Sequence, residues 1–143
     1  MSFREKSAWI TLLTLLVVTL LWAMHFPWGG PFTLAPAPNP FLFHTLVLAT
    51  ISFVVIEVVA HVIVAALAPR EAGAPADERE RLIGLKATRL GAYVYAALSL
   101  SSIFLIHLGA NQIGLAYLVL FSFVAASIVS YTARIVYYRR GVR

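Results

Sequence analysis

Residues 41–68 read FLFHTLVLATISFVVIEVVAHVIVAALA, and this run of 28 residues decides the fold. Its one acidic residue is Glu57, and His61 follows a helical turn later. At ~1.5 Å rise per residue the run makes ~42 Å of helix, longer than the ~30 Å hydrocarbon core of a bilayer. The chain therefore reads as an integral membrane protein.

The composition agrees. Of 143 residues, 61% are hydrophobic and 12% charged, where an average soluble domain carries about 25% charged residues. That balance excludes an ordinary soluble domain and a disordered chain. There is no cysteine, so disulfides and thiolate metal sites are excluded. The formal charge is +5. Such a charge suits nucleic-acid binding, and it suits the topology of a membrane protein equally well. The positions of the charges decide between the two.

Toward the N-terminus, residues 26–40 contain Pro27, Pro31, Pro36, Pro38 and Pro40, with Gly29 and Gly30 and no charge. Proline fixes φ and removes a donor, so this connection is not helical. It is expected to lie along the bilayer interface as a stiff connector, with a substrate lid as the alternative. Before it, residues 8–26 form a first span, with Trp9 toward one end and Trp22 and Trp28 toward the other, as aromatic belts require. Thr11, Thr14 and Thr19 are tolerated there because hydroxyls can bond back to their own helix. The start is basic, as in a signal peptide. The apolar region, however, exceeds the usual ~7–15 residues and no small-x-small cleavage site follows, so the segment reads as an uncleaved anchor.

Toward the C-terminus, Pro69 and residues 73–75 stop the long helix. Residues 69–89 carry most of the charge. Asp77 and Glu80 have capping-box spacing, which predicts a helix from about residue 77 to 108. Asp77 and Arg81 are spaced to support it, and Leu82, Ile83, Leu85 and Leu90 give it an apolar stripe. Its first turns form a cytoplasmic extension and residues 90–108 cross the membrane. Residues 109–112 are a tight turn, and residues 113–138 are the fourth span. The expected fold is one all-α domain, an antiparallel four-transmembrane-helix bundle.

All eleven Lys and Arg fall before the first span, in residues 70–89, or at the end of the last span and beyond. Four spans bring those regions to one side. The positive-inside rule then puts both termini in the cytoplasm, and the net charge needs no nucleic acid. Arg79, Arg81, Lys86, Arg89, Arg139 and Arg140 are expected to meet anionic lipid head groups or a cytoplasmic protein partner. Two ridges of small residues, Gly84–Thr88–Ala92–Ala96 and Ser122–Ala126–Ser130, allow close approach of helices. Four spans leave little interior, so a homo-oligomer is expected.

Glu57 is the residue most out of place. A charged side chain at the centre of a span costs ~2.5–3.5 kcal/mol on insertion scales. It is therefore protonated or paired. His61 shares its face, and so does Thr50. This stripe reads either as a proton relay of Glu57 and His61 or as a polar lock that fixes helix register, reaching Arg134 or a hydroxyl such as Ser99. A third alternative places His61 near the head groups. His25, His44 and His107 lie toward the other side, and imidazoles on facing helices could hold haem or a Cu or Zn ion. No carboxylate or cysteine accompanies them, so no cofactor or metal is predicted.

No lysine lies within a span to form a retinal-type Schiff base, and neither a phosphate loop nor His-Glu-x-x-His occurs. Glu57-x-x-x-His61 also lacks the Glu-x-x-His spacing of di-iron bundles. Nothing marks a nucleophile, and an enzyme is not expected.

The stretch at residues 77–89, DERERLIGLKATR, resembles the Asp-Glu-Arg…Ile-x-x-Lys-Ala signature of small membrane proteins of the DUF2178 type. It precedes a transmembrane helix, as it does there. The resemblance covers about 30 residues around the second connection and third span. It implies a small prokaryotic inner-membrane protein and no particular activity. The frequent neighbourhood of such proteins to helix-turn-helix regulators implies a regulatory partner. The leading expectation is thus a structural or regulatory membrane protein acting through its basic cytoplasmic face. The alternatives are a proton-linked carrier or channel subunit using Glu57 and His61, and a haem or metal protein using His25, His44 and His107.

Overall fold

The computed structural model describes residues 3–25, 40–67, 69, 75, 77–107, 109 and 112–141, with backbone alone at 25, 40–43, 46, 106 and 113. The proline-rich connection at 26–39 lies outside these residues. Four helices follow in order: α1 (Phe3–His25), α2 (Pro40–Leu67), α3 (Glu78–His107) and α4 (Gln112–Arg140). The described residues are all-helical apart from turns and caps.

Three of the helices, α1, α2 and α4, are long and apolar enough to cross a membrane. The makeup of α2 argues for lipid as its solvent. It is crowded with Val and Ile, which lower helix propensity in water. In hydrocarbon every backbone N–H and C=O must be satisfied within the segment, so the helix wins. Serines in α3 and α4 satisfy their hydroxyls within their own helices. The hydroxyls of Ser101, Ser102, Ser122 and Ser127 donate to the carbonyls of Ala97, Leu98, Leu118 and Phe123 on their own helices at 2.7–3.1 Å.

The helix ends have visible causes. Asp77 caps α3, because its carboxylate accepts from the Glu78 N–H at 2.7 Å and its carbonyl accepts from the Arg81 N–H at 2.9 Å. Glu80 does not complete the expected capping box. Its carboxylate pairs instead with Arg4 Nε of α1 at 3.2 Å. Gly141 ends α4 with φ of 78° and donates its N–H to the Tyr137 carbonyl at 3.1 Å, a left-handed cap. Gly109, with φ of 82°, makes the turn after α3. Helix α1 starts five residues before its apolar run, at Phe3. Glu5 sits in that first turn, where the helix dipole favours an acid, and pairs with Arg139 Nε at 3.8 Å.

The helices pack antiparallel in the spatial order α2, α1, α4, α3. Helix α1 lies between α2 and α4, and among the described residues α3 runs along α4 only. The bundle is thus open. Ala8 and Leu12 of α1 meet Ile135 of α4 near one end, with Trp9, Ile128 and Tyr131 around them. Toward the other end Trp22 meets Tyr117 in a tilted contact and Phe121 edge-on, at centroid distances of 5.6 and 5.2 Å.

The closest approach is between α3 and α4. Gly91 faces Ala126 and Ser130 so tightly that a Cβ there would stand 2.9 Å from Ser130 Cβ and 3.0 Å from the Ala126 carbonyl oxygen. The small-residue ridge expected on α4 is used, with Ser122 and Ala126 buried. The ridge expected on α3 is not. Thr88, Ala92 and Ala96 are exposed, and the packed row is Ile83, Ala87 and Gly91, one residue earlier. Both rows repeat every four residues. The neighbouring row brings Gly91 against the α4 backbone, with Ile83 and Ala87 fully buried on the same face.

Candidate functional site

Helix length and antiparallel packing together bring five polar side chains to similar depth. Thr11 lies eight residues into α1, Glu57 and His61 lie ten and six residues before the end of α2, and Tyr131 and Arg134 lie nine and six before the end of α4. At ~1.5 Å per residue these depths are about 9–15 Å from the same end of the molecule.

His61 is the hub. Its Nδ1 lies 2.9 Å from the Glu57 backbone carbonyl and 3.5 Å from Glu57 Oε1. A carbonyl only accepts, so Nδ1 carries the proton in this arrangement. In the neutral ring Nε2 is then an acceptor, and it faces the Thr11 hydroxyl at a long 3.4 Å. Thr11 is 1% exposed, wedged between α2 and α4. Its hydroxyl also adjoins the Glu57 carboxyl and the Tyr131 hydroxyl. The ring of Tyr131 in turn carries the Arg134 guanidinium, 5.5 Å from its centroid, a cation–π contact. The order Tyr131, Thr11, His61, Glu57 supplies alternating donors and acceptors across three helices. Glu57 Oε2 is buried without a hydrogen-bond partner.

Of the stripe read from sequence, Glu57 and His61 meet directly. Arg134 joins through Tyr131. Thr50 is exposed two turns away on α2. Ser99 is on α3, which does not pack on α2 among the described residues, and its hydroxyl is buried without a partner. Thr11 and Tyr131 were not anticipated. Residues 8–26 read as a span whose threonines serve their own helix, and nothing in the sequence singles Tyr131 out. Their depth relative to Glu57 follows from register between helices, which a single sequence does not carry.

All described Lys and Arg lie toward one end, at the starts of α1 and α3 and the finish of α4. Several are engaged there. Besides the Arg4–Glu80 and Arg139–Glu5 pairs, Arg79 Nη2 donates to the Tyr138 carbonyl at 3.3 Å, and Arg139 lies over the Trp9 ring at 5.4 Å. Arg89 donates to the Tyr93 hydroxyl at 2.7 Å and lies over that ring. Arg81, Lys86 and Arg140 are exposed.

Two hollows flank the five-residue cluster. A polar one of about 300 Å³ lies at the basic end between α1, α3 and α4. An apolar one of about 530 Å³ lies toward the opposite end between α1, α2 and α4, around Trp22, Phe53 and Phe121. His44 and His107 are exposed, and the side chain of His25 is outside the described residues. Among the described residues no three His, Asp or Glu side chains converge as metal ligands.

Comparison with protein-family models, curated proteins and solved structures finds no match to this chain.

Proposed function

We propose that this is a four-pass inner-membrane protein of structural or regulatory type, with both termini in the cytoplasm, that acts through its basic end. The observation that carries this reading is the gathering of the described cations at one end. There, cross-helix pairs join Arg4 to Glu80 and Arg139 to Glu5, and Arg81, Lys86 and Arg140 are exposed. A fixed basic surface attracts anionic head groups and an acidic cytoplasmic partner at about 1 kcal/mol per cation near the membrane surface. The resemblance of residues 77–89 to DUF2178-type proteins supports a regulatory partner. The open side of α3 and the lipid-facing length of α2 leave room for a second copy of the chain.

The test is in-cell cross-linking of wild type and of Arg79→Glu/Arg81→Glu. Loss of cross-linked partners in the variant is expected. Associations that all survive charge reversal count against the reading.

A second reading, a proton-linked carrier or channel subunit, is favoured by the hydrogen-bonded series through Thr11, His61 and Glu57. Proteoliposome flux measured on wild type and Glu57→Gln tests it. Proton-coupled flux that is lost on substitution is the expected result, and flux indifferent to Glu57→Gln removes the idea.

A further inference from the structure

We infer that the polar hollow at the basic end is a binding site for a phosphate group. The inference rests on the proposed role of that end as the acting face, and it adds a ligand class and a location. The hollow is walled by Arg4 and Ser7 of α1, Glu80 and Arg81 of α3, and Arg134 and Tyr138 of α4. Three arginines thus line it with a single acidic residue, and Arg4 Nε already engages the Glu80 carboxylate at 3.2 Å.

Arg134 supplies an independent sign. Its Nε is buried and has no hydrogen-bond partner. Among the described residues no carboxylate lies within 4.0 Å of it. A buried guanidinium N–H left unpaired is costly, and the Tyr131 ring, 5.5 Å from the guanidinium carbon, balances charge without accepting from that N–H. An anion in the hollow reaches the Nη end of this guanidinium, beside Gly84, and balances its charge. Phosphate suits this better than a carboxylate, because its oxygens accept from several planar guanidinium forks and from hydroxyl donors at once. Ser7 and Tyr138 bring such hydroxyls.

The size fits. At ~30 Å³ per water, 300 Å³ holds about ten waters, enough for a phosphate with a glycerol attached. Gly84 keeps the wall flat, since a Cβ there would stand 4.0 Å from Arg134 Nη2. A larger side chain at 84 would project into the hollow.

The phosphate has two sources, a membrane phospholipid and a soluble phosphate, and the experiment separates them. Native mass spectrometry of detergent-released protein measures retention of phosphatidylglycerol against a phosphate-free diacylglycerol. A thermal-shift titration with inorganic phosphate covers the soluble source. Wild type is compared with Arg134→Gln, Arg134→Lys, Gly84→Leu and the rim control Arg140→Gln. A lipid source predicts selective retention of phosphatidylglycerol, weakened at least about tenfold by Arg134→Gln and Gly84→Leu. Arg134→Lys, which keeps the charge and loses the fork, falls between, and Arg140→Gln stays within about twofold of wild type. The same ranking with inorganic phosphate alone assigns the soluble source. Should Arg134→Lys and Gly84→Leu bind like wild type while Arg140→Gln weakens binding, the hollow is not the site and only the rim attraction stands. Should no phosphate probe bind wild type, the inference fails, whereas the cross-linking test judges the acting face separately.

Discussion

Thr11 ties three helices together with one hydroxyl. Its partner His61 is exposed on its other side, so the contact is long and its worth modest. Interhelical hydrogen bonds in membranes average about 0.6 kcal/mol in double-mutant cycles and reach about 1.7. A cycle of Thr11→Val and His61→Ala should therefore give a coupling of about 0.5–1.5 kcal/mol, read from unfolding in mixed micelles. Additive losses would mean that the 3.4 Å approach carries nothing. Glu57 was legible in the sequence because a carboxylate amid 28 residues of hydrocarbon has no solvent to spare it. Its neighbours Thr11 and Tyr131 were not, because hydroxyls are ordinary in membrane helices and neither residue breaks a pattern on its own helix.

The α3–α4 contact belongs to the scale of elements. Gly91 permits an approach that no β-carbon allows without displacing the Ala126 carbonyl. Gly91→Ala gains up to about 1 kcal/mol in helix propensity. Overpacking costs about 1–3 kcal/mol, so a net loss of stability is expected. Gly91→Leu should be worse, and Thr88→Leu on the exposed face should be close to neutral. Chemical unfolding of the three variants reads the order directly. The sequence revealed that α3 and α4 each carry small residues every four positions. It did not say which of two adjacent rows on α3 faces its neighbour, since both satisfy the spacing and differ only in what flanks them. Helix ends were easier to read. Asp77 starts α3 by its own hydrogen bonds, although Glu80 leaves the local motif for Arg4, a partner that lies 76 positions away. At the other terminus of α4, Gly141→Ala would force a β-carbon into φ of 78°. A penalty of ~1–2 kcal/mol should fray the last turn. Faster amide exchange at 138–141, with unchanged global unfolding, is the expected outcome.

Across the whole molecule, the four antiparallel helices return the chain to its starting end, and the described Lys and Arg collect there. Reporter fusions test the proposed sidedness. A fluorescent protein joined before residue 3 or after residue 141 should fold in the cytoplasm, and alkaline phosphatase inserted at Gly109 should be active in the periplasm. The reverse pattern would move every basic contact to the opposite leaflet. The order α2, α1, α4, α3 was beyond reach of the sequence, because hydropathy counts spans without saying which are neighbours.

The ion pair between Glu5 and Arg139 links the first turn of α1 to the last turn of α4. A short tether between them would close the backbone into a ring. Such a ring could be cut afresh between α2 and α3, where the flanking sequence is rich in cations, as it is at the start of α1 and the end of α4. A cut between α1 and α2 would leave its ends at the uncharged pole, with no basic flank to hold them there. The first circular permutant should insert and unfold like the parent, and the second should scramble its orientation.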